Sequence, residues 1–412
     1  MINITRLWCG AEQPADHIRY GLGHGSAAPH ASTAACSPTS SRTRKPIVVW
    51  NITRTCNLRC VHCYADSHAQ KYPGELSLEQ CLGVIDNLAD YKVNALLLSG
   101  GEPLLHPHLP ELLEHATNRG LKVTISTNGT RITPEYAAMF KRLGVAYVGI
   151  SLDGIGAVHD SFRGVEGAFE GAIRGFRRCE EVGQKTGLRL TLTRNNVQSM
   201  EEILNFIEQE GIQRVCFYHL VPTGRGVDVA SLRPDEARAA LDMLIARAEA
   251  WHKSGQTREL LTVTQPADGI YILLRQLREG SPQAAQTLRL LGWNGGGANS
   301  SGRGIANIDT QGNIHPDQFW QSVTLGNVKT QKFSDVWDAS LEPSAAELQK
   351  LRGAEDPLER QKLLSGPCAT CKHFALCGGG FRTRAAFANG HWYGSDPGCY
   401  LTDEERQTEI SL

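Results

Sequence analysis

The sequence lacks an excess of charge of either sign, because 42 basic and 43 acidic residues leave a formal net charge of −1. It therefore has no general electrostatic signature of a nucleic-acid-binding protein. It also lacks any apolar run near the roughly 20 residues that a membrane helix needs, and it shows no secretory signal. We therefore expect a soluble cytoplasmic protein with no nucleic-acid partner and no membrane span, whose thiols stay reduced.

At 412 residues the chain is too long for one ordinary domain. Residues 24–44 are rich in Ser, Thr, Ala and Pro and read as a flexible linker. We predict four segments: an N-terminal extension with this linker at 1–44, a barrel at 45–230, a helical connecting segment at 231–295, and a domain with clustered cysteines at 296–412.

From Lys45 onward, short apolar runs alternate with helical stretches. This alternation predicts βαβ units and a parallel sheet. Ser77 with Gln80, and Ser199 with Glu202, look like capping boxes that open two of the helices. The six strands are predicted at 47–52, 95–99, 122–126, 147–151, 188–192 and 214–221. Six units are too few for a closed eight-stranded barrel, so we expect a partial (β/α)6 barrel of the TIM type.

Twelve cysteines are the unusual feature of the composition. In a reducing compartment, clustered cysteines indicate metal ligands or catalytic thiols before disulfides. Seven form two groups, which are Cys56, Cys60 and Cys63, and then Cys368, Cys371, Cys377 and Cys399. The other five are expected to be small buried side chains: Cys9, Cys36, Cys81, Cys179 and Cys216.

The first cysteine group follows the first predicted strand, at the barrel end where parallel barrels place their chemistry. Three cysteines can hold a four-iron cluster and leave one iron without a protein ligand, which suits a catalytic centre. A zinc site completed by His62 is the alternative. The pattern Cys56-x-x-x-Cys60-x-x-Cys63 followed by Tyr64 resembles the signature of radical S-adenosylmethionine (radical SAM) enzymes.

That resemblance implies further contacts to SAM at the same end of the barrel. Residues 99–103, Ser-Gly-Gly-Glu-Pro, resemble the family's GGE motif, in which backbone and carboxylate hold the methionine amino group. The implied SAM-binding residues are Tyr64, Ser99, Gly100, Gly101, Glu102, Ser126, Asn128, Ser151, Asp153, Arg163 and Thr193. The implied chemistry is one-electron cleavage of SAM to a 5′-deoxyadenosyl radical, which abstracts hydrogen from an unactivated carbon. The electron comes from an external donor such as a flavodoxin or ferredoxin.

The second group, Cys368, Cys371, Cys377 and Cys399, resembles part of the SPASM domain, whose full pattern has seven cysteines for two auxiliary clusters. Three of these cysteines are missing here. Asp317 and Phe381 stand at two of the positions, and no cysteine stands at the third position, just before the hairpin predicted around 309–312. The losses are coherent, because they leave four ligands for one cluster. We therefore expect one fully ligated auxiliary 4Fe-4S cluster in a SPASM- or twitch-like domain, with a four-cysteine zinc site as the alternative.

The resemblance continues over almost the whole chain from Val48. It is carried by residues 48–60, 147–154, 219–226, 306–309, 312–320 and 399–403. These segments are similar to the alternative haem biosynthesis group of radical SAM proteins, and within it to the haem d1 branch. This implies removal of propionate side chains from the iron tetrapyrrole 12,18-didecarboxysirohaem.

A few individual residues are also suited to contact a tetrapyrrole. His219 and His315 can supply an axial iron ligand, Phe319 and Trp320 a flat apolar wall, and Arg225 a partner for substrate carboxylates. Three alternatives stay open. They are the related haem synthase that converts coproporphyrin propionates to vinyl groups, a SPASM-type peptide maturase, and a cluster-binding module without enzymatic activity.

Overall fold

The computed structural model describes residues 1–13, 15–20, 45–294, 301–339 and 357–410. The strands are β1 (Ile2–Asn3), β2 (Ile47–Thr53), β3 (Ala95–Gly100), β4 (Val123–Thr127), β5 (Tyr147–Ser151), β6 (Thr186–Leu192), β7 (Arg214–His219), β8 (Glu259–Val263), β9 (Ile305–Ile308), β10 (Asn313–His315) and β11 (Gly326–Asn327). They form one sheet in the order β1-β8-β7-β6-β5-β4-β3-β2-β9-β10-β11.

The six predicted strands are confirmed as β2 to β7, which lie side by side in chain order and pair in parallel. Their apolar side chains form the core together with the helices on the sheet; Trp50, Leu96 and Phe217 are fully buried in it. All six strands run in the same direction, so their carboxyl ends share one edge, which we call the mouth of the sheet. The α/β fold expected for a radical SAM barrel is therefore present.

The helices between the strands follow local sequence signals. They are α1 (Ile4–Cys9), α2 (Asp16–Tyr20), α3 (Leu78–Tyr91), α4 (Leu109–Asn118), α5 (Pro134–Arg142), α6 (Ala157–Arg163), α7 (Ala168–Glu181), α8 (Met200–Gln209), α9 (Pro234–Lys253), α10 (Ala267–Arg278), α11 (Ala284–Asn294), α12 (Phe333–Ala339), α13 (Pro357–Gln361), α14 (Phe374–Cys377), α15 (Arg382–Asn389) and α16 (Asp403–Gln407). The predicted capping box of Ser77 and Gln80 is present. The one predicted at Ser199 is wrong: that side chain caps nothing, because a 3-10 turn (Val197–Ser199) leads directly into α8.

Two strands at one end of the sheet were not expected. β8 lies within the segment predicted to be helical and pairs in parallel with β7, while β1 pairs antiparallel with β8. At the other end, β9 and β10 form the predicted hairpin, and β9 pairs in parallel with β2. One sheet thus contains strands from all four predicted segments, and the boundaries between the segments stay predictions. The predicted linker at 24–44 lies outside the described residues.

The described part of the chain contains no helix with the length and apolar character needed to cross a membrane.

Candidate active site at the mouth of the sheet

The first cysteine group lies in the loop that leaves β2 at the mouth. Cys56 and Cys60 are buried and pack together with Leu58, and Cys63 packs against them. The Leu58 N–H donates to Cys56 Sγ at 3.4 Å, and the Ser67 N–H donates to Cys63 Sγ at 3.4 Å. Burial raises the pKa of the Cys56 thiol to about 12. Cys56 and Cys60 are therefore shielded from solvent, and backbone donors are aimed at the sulfurs of Cys56 and Cys63.

Arg163 joins this loop to the end of β5. Its Nη1 donates to Cys60 Sγ at 3.3 Å, and its Nη2 pairs with the Asp153 carboxylate. Both side chains are buried, and Arg163 Nε has no partner among the described residues. Burial opposes ionisation of Asp153, but the Arg163 guanidinium holds the pKa of that carboxyl below its ordinary value. A fixed positive charge therefore lies against one of the three thiols.

Glu102 organises the loops that follow β3 and β4. Its carboxylate accepts hydrogen bonds from the Thr127 hydroxyl at 2.7 Å, the Asn128 N–H at 2.8 Å and the Leu104 N–H at 3.1 Å. The residue is 0% exposed, and burial raises the pKa of its carboxyl despite these donors. Its carboxylate is therefore already engaged by the protein, and its clearest role in the structure is to position Asn128.

The two glycines before Glu102 are required by packing against the cysteine loop. A Cβ on Gly100 would lie 2.2 Å from the Thr53 carbonyl oxygen, and one on Gly101 would lie 2.3 Å from that of Thr55. Gly100 also has φ +135, which side chains disfavour. The sequence suggested that these glycines admit a ligand. In the structure, they admit the backbone that leads to Cys56.

Asn128 lies between the cysteine loop and the turn after β4. Its Nδ2 donates to Asn57 Oδ1 at 3.0 Å and lies 4.0 Å from Cys56 Sγ.

Thr193 has a different environment, because its N–H and hydroxyl both donate to Asn196 Oδ1 in a buried turn. Ser151 ends β5 at the same mouth, half-buried.

The aromatic ring of Tyr64 closes one side of the mouth. Its hydroxyl donates to Asn51 Oδ1 at 3.0 Å and lies 3.3 Å from Ser99 Oγ. Phe319, from the C-terminal part of the chain, meets the Tyr64 ring edge-on at a centroid distance of 5.4 Å. Trp320 is instead buried against Trp392. Of the two predicted wall residues, Phe319 is the one in contact with the cysteine loop.

One charged group at this end was not predicted. Arg189 in β6 donates through Nη1 to Ser126 Oγ at 2.7 Å and lies across Gly149, where a Cβ would approach its Nε to 2.3 Å. Its Nε has no partner among the described residues. The available signal was an arginine within an otherwise apolar strand.

The second cysteine group lines one cavity of about 260 Å³, which all four side chains border: Cys368, Cys371, Cys377 and Cys399. Burial raises the pKa of Cys377 well above its ordinary value and that of Cys399 to about 11. Close by, Arg382 is 2% exposed, and its Nε and Nη2 have no partner in the described residues. Four sulfurs around one space, with unused guanidinium donors beside them, fit an anionic cluster.

The described His, Cys, Asp and Glu residues do not form a compact site for a single metal ion. In the residues that the structure describes, no three or more His, Cys, Asp or Glu side chains are arranged to hold a metal ion. Thiolates that hold a four-iron cluster bind different irons, so they stand farther apart than the ligands of one ion. The surroundings of the thiols, rather than a compact set of ligands, therefore support the binding of iron–sulfur clusters.

His219 ends β7 at the mouth and belongs to a buried hydrogen-bonded chain. Its Nε2 lies 3.1 Å from Asp268 Oδ2, and the Tyr400 hydroxyl donates to Asp268 Oδ1 at 2.6 Å. Tyr400 directly follows Cys399, so this chain joins the mouth to the second cysteine group. An ion pair of Arg384 with Asp396 fastens the same region, since Arg384 also donates to carbonyls that follow β7 and β8.

The other two predicted substrate residues have partners within the protein. Arg225 donates to the Cys60 carbonyl at 2.9 Å and pairs with Asp66 at 2.7 Å, so it braces the cysteine loop. His315 lies 2.8 Å from the Val323 carbonyl through Nδ1 and 3.3 Å from Asp309 through Nε2. A contact of His315 with substrate would require an exchange of these partners, whereas Arg225 Nη2 has no partner among the described residues.

Residues 50–207, which contain the cysteine loop, part of β2 and the whole of β3 to β6, match the model of the radical SAM superfamily. The chain is also 41% identical over 407 residues to the Fe-coproporphyrin III synthase of Methanosarcina barkeri, covering 98% of each chain. It belongs to the radical SAM superfamily and is a radical SAM enzyme. Membership implies SAM and a 4Fe-4S cluster as cofactors.

A second relative is the pre-heme d1 synthase of Dinoroseobacter shibae, which is 42% identical over 377 residues, or 90% of each chain. The solved structure of anSMEcpe with bound AdoMet and a Cp18Cys peptide aligns with a TM-score of 0.65 at 18% identity, over 88% of this chain and 95% of that one. At that identity the alignment shows the shared fold.

The match to the pre-heme d1 synthase confirms the similarity to the haem d1 branch that was expected from the sequence.

Proposed function

We propose that this enzyme removes propionate side chains from 12,18-didecarboxysirohaem in haem d1 biosynthesis. The proposal rests on one observation above the others: the thiols of Cys56, Cys60 and Cys63, the first two buried and the third half-buried, lie together at the mouth with donors aimed at sulfur. The tetrapyrrole rests on the 42% identity to a pre-heme d1 synthase.

A second candidate is the formation of Fe-coproporphyrin III. It is favoured by the relative of that name, which matches at nearly the same identity but over 98% of the chain. Both candidates use the same site and both concern iron tetrapyrroles. The identity of the product therefore separates them.

Each part of the mouth has a task in this proposal. Cys56, Cys60 and Cys63 would hold the first cluster and leave one iron open to SAM. The residues proposed to contact SAM are Tyr64, Ser99, Gly100, Gly101, Glu102, Ser126, Asn128, Ser151, Asp153, Arg163 and Thr193. When bound and reduced by a flavodoxin or ferredoxin, the cluster and SAM together supply a carbon radical that abstracts hydrogen. The protein's own residues must orient the side chain to be lost and exclude water.

The substrate contacts follow from partner geometry. His219 Nε2 lies beside Asp268, which leaves Nδ1 for the substrate iron, and a carboxylate behind a histidine strengthens it as a ligand. The Phe319 ring next to Tyr64 offers an apolar surface for the macrocycle. Arg225 and His315 are weaker candidates, since both have internal partners.

We further propose that Cys368, Cys371, Cys377 and Cys399 hold an auxiliary 4Fe-4S cluster. Support comes from the shared cavity and from the unused donors of Arg382. With all four irons ligated, this cluster would not bind SAM. It would accept or donate electrons near the substrate, or fasten the C-terminal region over the mouth. Bound zinc instead of iron in the anaerobically reconstituted protein would contradict it.

The test uses the reconstituted enzyme with SAM, a chemical reductant and 12,18-didecarboxysirohaem. Products are identified by mass spectrometry and absorbance. Loss of propionates supports the haem d1 assignment, Fe-coproporphyrin III supports the second candidate, and an unchanged tetrapyrrole overturns both.

The matched variants address the chemistry. Substituting serine for Cys56, Cys60 and Cys63 together should abolish SAM cleavage. The same substitution at Cys81 and Cys179, which are buried outside both groups, should not. SAM cleavage retained in the triple variant would remove the radical mechanism.

A further inference from the structure

A small cavity, bordered by both apolar and polar residues, lies between the end of β8 and the segment that follows β10. It has a volume of about 70 Å³ and is bordered by residues from both regions, including Phe319 and Phe381. Phe319 is the residue that touches the Tyr64 ring, so the cavity lies beside the mouth. Gln265 borders both this cavity and the larger one around Cys368 and its neighbours.

Five residues that border this cavity each have a buried side-chain oxygen with no hydrogen-bond partner in the described part of the chain. These atoms are Thr262 Oγ1, Gln265 Oε1, Ser301 Oγ, Asp317 Oδ2 and Gln318 Oε1. Buried polar atoms in folded proteins nearly always have a partner, so each such atom requires an explanation. Five of them around one small space indicate a missing occupant rather than five separate defects.

Asp317 supplies the charge. It is 1% exposed; its Oδ1 accepts the Phe319 N–H at 2.7 Å and the Trp320 N–H at 3.0 Å, whereas its Oδ2 is unused. Burial raises the pKa of the Asp317 carboxyl, and the Ser301 hydroxyl and the Phe319 and Trp320 N–H groups oppose that shift. Among the described residues, neither Lys, Arg nor the N-terminal amine forms an ion pair with it. A buried carboxylate without a counter-charge is costly.

The chemistry of the walls selects the occupant. Oxygen ligands suit hard cations. A single carboxylate balances one positive charge, whereas a divalent ion would leave a charge unbalanced in a buried site. A volume of 70 Å³ admits an ion with a few waters, since one water needs about 10–15 Å³. We propose that this cavity binds one alkali cation, K⁺ or Na⁺, through the Asp317 carboxylate and the neutral oxygens around it.

The position gives the cation a structural consequence. Asp317 Oδ1 accepts the Phe319 N–H and so holds the backbone of Phe319 in place. The Phe319 ring packs on Tyr64, the residue that directly follows Cys63. A cation on Oδ2 therefore stabilises the turn that presents Phe319 to the mouth. Ser301 and Gln318 border the same cavity as Thr262 of β8 and Gln265, which follows β8.

The first test measures thermal unfolding of the anaerobically reconstituted enzyme in KCl, NaCl and tetramethylammonium chloride at equal ionic strength. A bound cation stabilises the folded state with a saturating concentration dependence. We expect the midpoint to rise with KCl or NaCl and not with tetramethylammonium, which is too large for the cavity. Asp317→Asn should abolish the rise, and Asp335→Asn, which removes an exposed carboxylate nearby in sequence, should retain it.

The second test does not depend on a variant that folds. Crystals of the wild-type enzyme soaked in thallium(I), which replaces K⁺, should show one anomalous peak within the cavity, close to Asp317 Oδ2. Equal responses to all three salts, or a cavity that contains ordered waters and no thallium peak, would overturn the proposal. If Asp317→Asn fails to fold, Gln318→Ala should weaken thallium occupancy, and unchanged occupancy counts against the site.

Discussion

The Arg163 guanidinium donates to Cys60 Sγ at 3.3 Å while it pairs with the buried Asp153 carboxylate. This places one positive charge between a predicted cluster ligand and a residue at the end of β5. The contact ties the cysteine loop to the end of β5. Arg163 thus contacts a predicted cluster ligand, whereas the sequence predicted a contact with SAM.

Arg163→Met should strongly destabilise the protein, because it leaves Asp153 buried and unpaired. Breaking a buried pair costs about 3–5 kcal/mol. The control is Arg177→Met, which removes an exposed arginine from its pair with Glu210 and should cost about 1 kcal/mol or less. Urea unfolding under anaerobic conditions measures both. Similar costs for the two variants would mean that Arg163 contributes no more than a surface ion pair.

The same variant should lower the reduction potential of the first cluster. A positive charge beside a ligating sulfur favours the reduced form, and its removal disfavours it. Redox titration monitored by electron paramagnetic resonance gives the potential directly. An unchanged potential would leave Arg163 with a purely structural role.

Glu102→Ala should reduce SAM affinity about ten- to hundredfold with iron content unchanged. The physical reason is that the Asn128 N–H and the Thr127 hydroxyl lose their acceptor, so the loop after β4 is released. Equilibrium binding of SAM to the reconstituted enzyme measures the effect. Glu111→Ala, which changes an exposed residue of α4, is the control. With equal affinities in both variants, residues 99–103 would be only a turn.

The sequence predicted the six central strands and their mouth because βα alternation and the Gly and Asn residues at strand ends are local signals. β8 was missed because its first residue, Glu259, looks incompatible with a buried strand. In the structure, Glu259 is buried, and its charge is compensated by ion pairs with Arg19 at 2.6 Å and Arg214 at 3.3 Å. One partner lies 240 residues away, and a local pattern contains no information about it.

The site divides in the same way. Cysteine spacing predicted the cluster ligands, because three thiols in one loop need only local geometry. The roles of Glu102 and Arg225 were not predictable, because each depends on which backbone groups the fold brings near. The Asp317 cavity also required the structure, since its walls come from both β8 and the segment after β10.

The stability of the protein should fall as the pH is lowered from about 6.5 towards 4. His159 is 1% exposed and accepts the Asp153 N–H through Nδ1 at 3.0 Å. Burial, followed by the nearby Arg163 charge, lowers its pKa to about 4. A histidine with a depressed folded pKa contributes stability above its unfolded pKa and loses it as the pH falls through the folded value.

We therefore expect that His159→Gln, which keeps an acceptor but does not titrate, loses less stability than the wild type between pH 7.5 and 5.5. The difference should be about 1 kcal/mol, the order of one pKa unit. Urea unfolding at the two pH values measures it, and the exposed His252→Gln is the control. A pH dependence identical to that of the wild type would show that His159 does not contribute.

Cys399→Ser should separate SAM cleavage from turnover of the tetrapyrrole. Cys399 lines the cavity of the second cysteine group, and its neighbour Tyr400 is hydrogen-bonded through Asp268 towards His219 at the mouth. If the second cluster exchanges electrons with the substrate radical, a variant with a damaged cluster still cleaves SAM but turns over little 12,18-didecarboxysirohaem. Iron should fall from roughly eight per chain to about half of that when the cluster is lost.

The matched control is Cys81→Ser, which alters a thiol that is 1% exposed and lies outside both groups. It should keep the full iron content and both activities. A Cys399→Ser protein that folds, lacks the second cluster and still converts the tetrapyrrole at the wild-type rate would contradict electron transfer. The cluster would then stabilise the C-terminal region, a role in which the Arg384–Asp396 pair already joins it to the mouth. Absorbance assays of substrate, with 5′-deoxyadenosine measured in the same samples, distinguish the two roles.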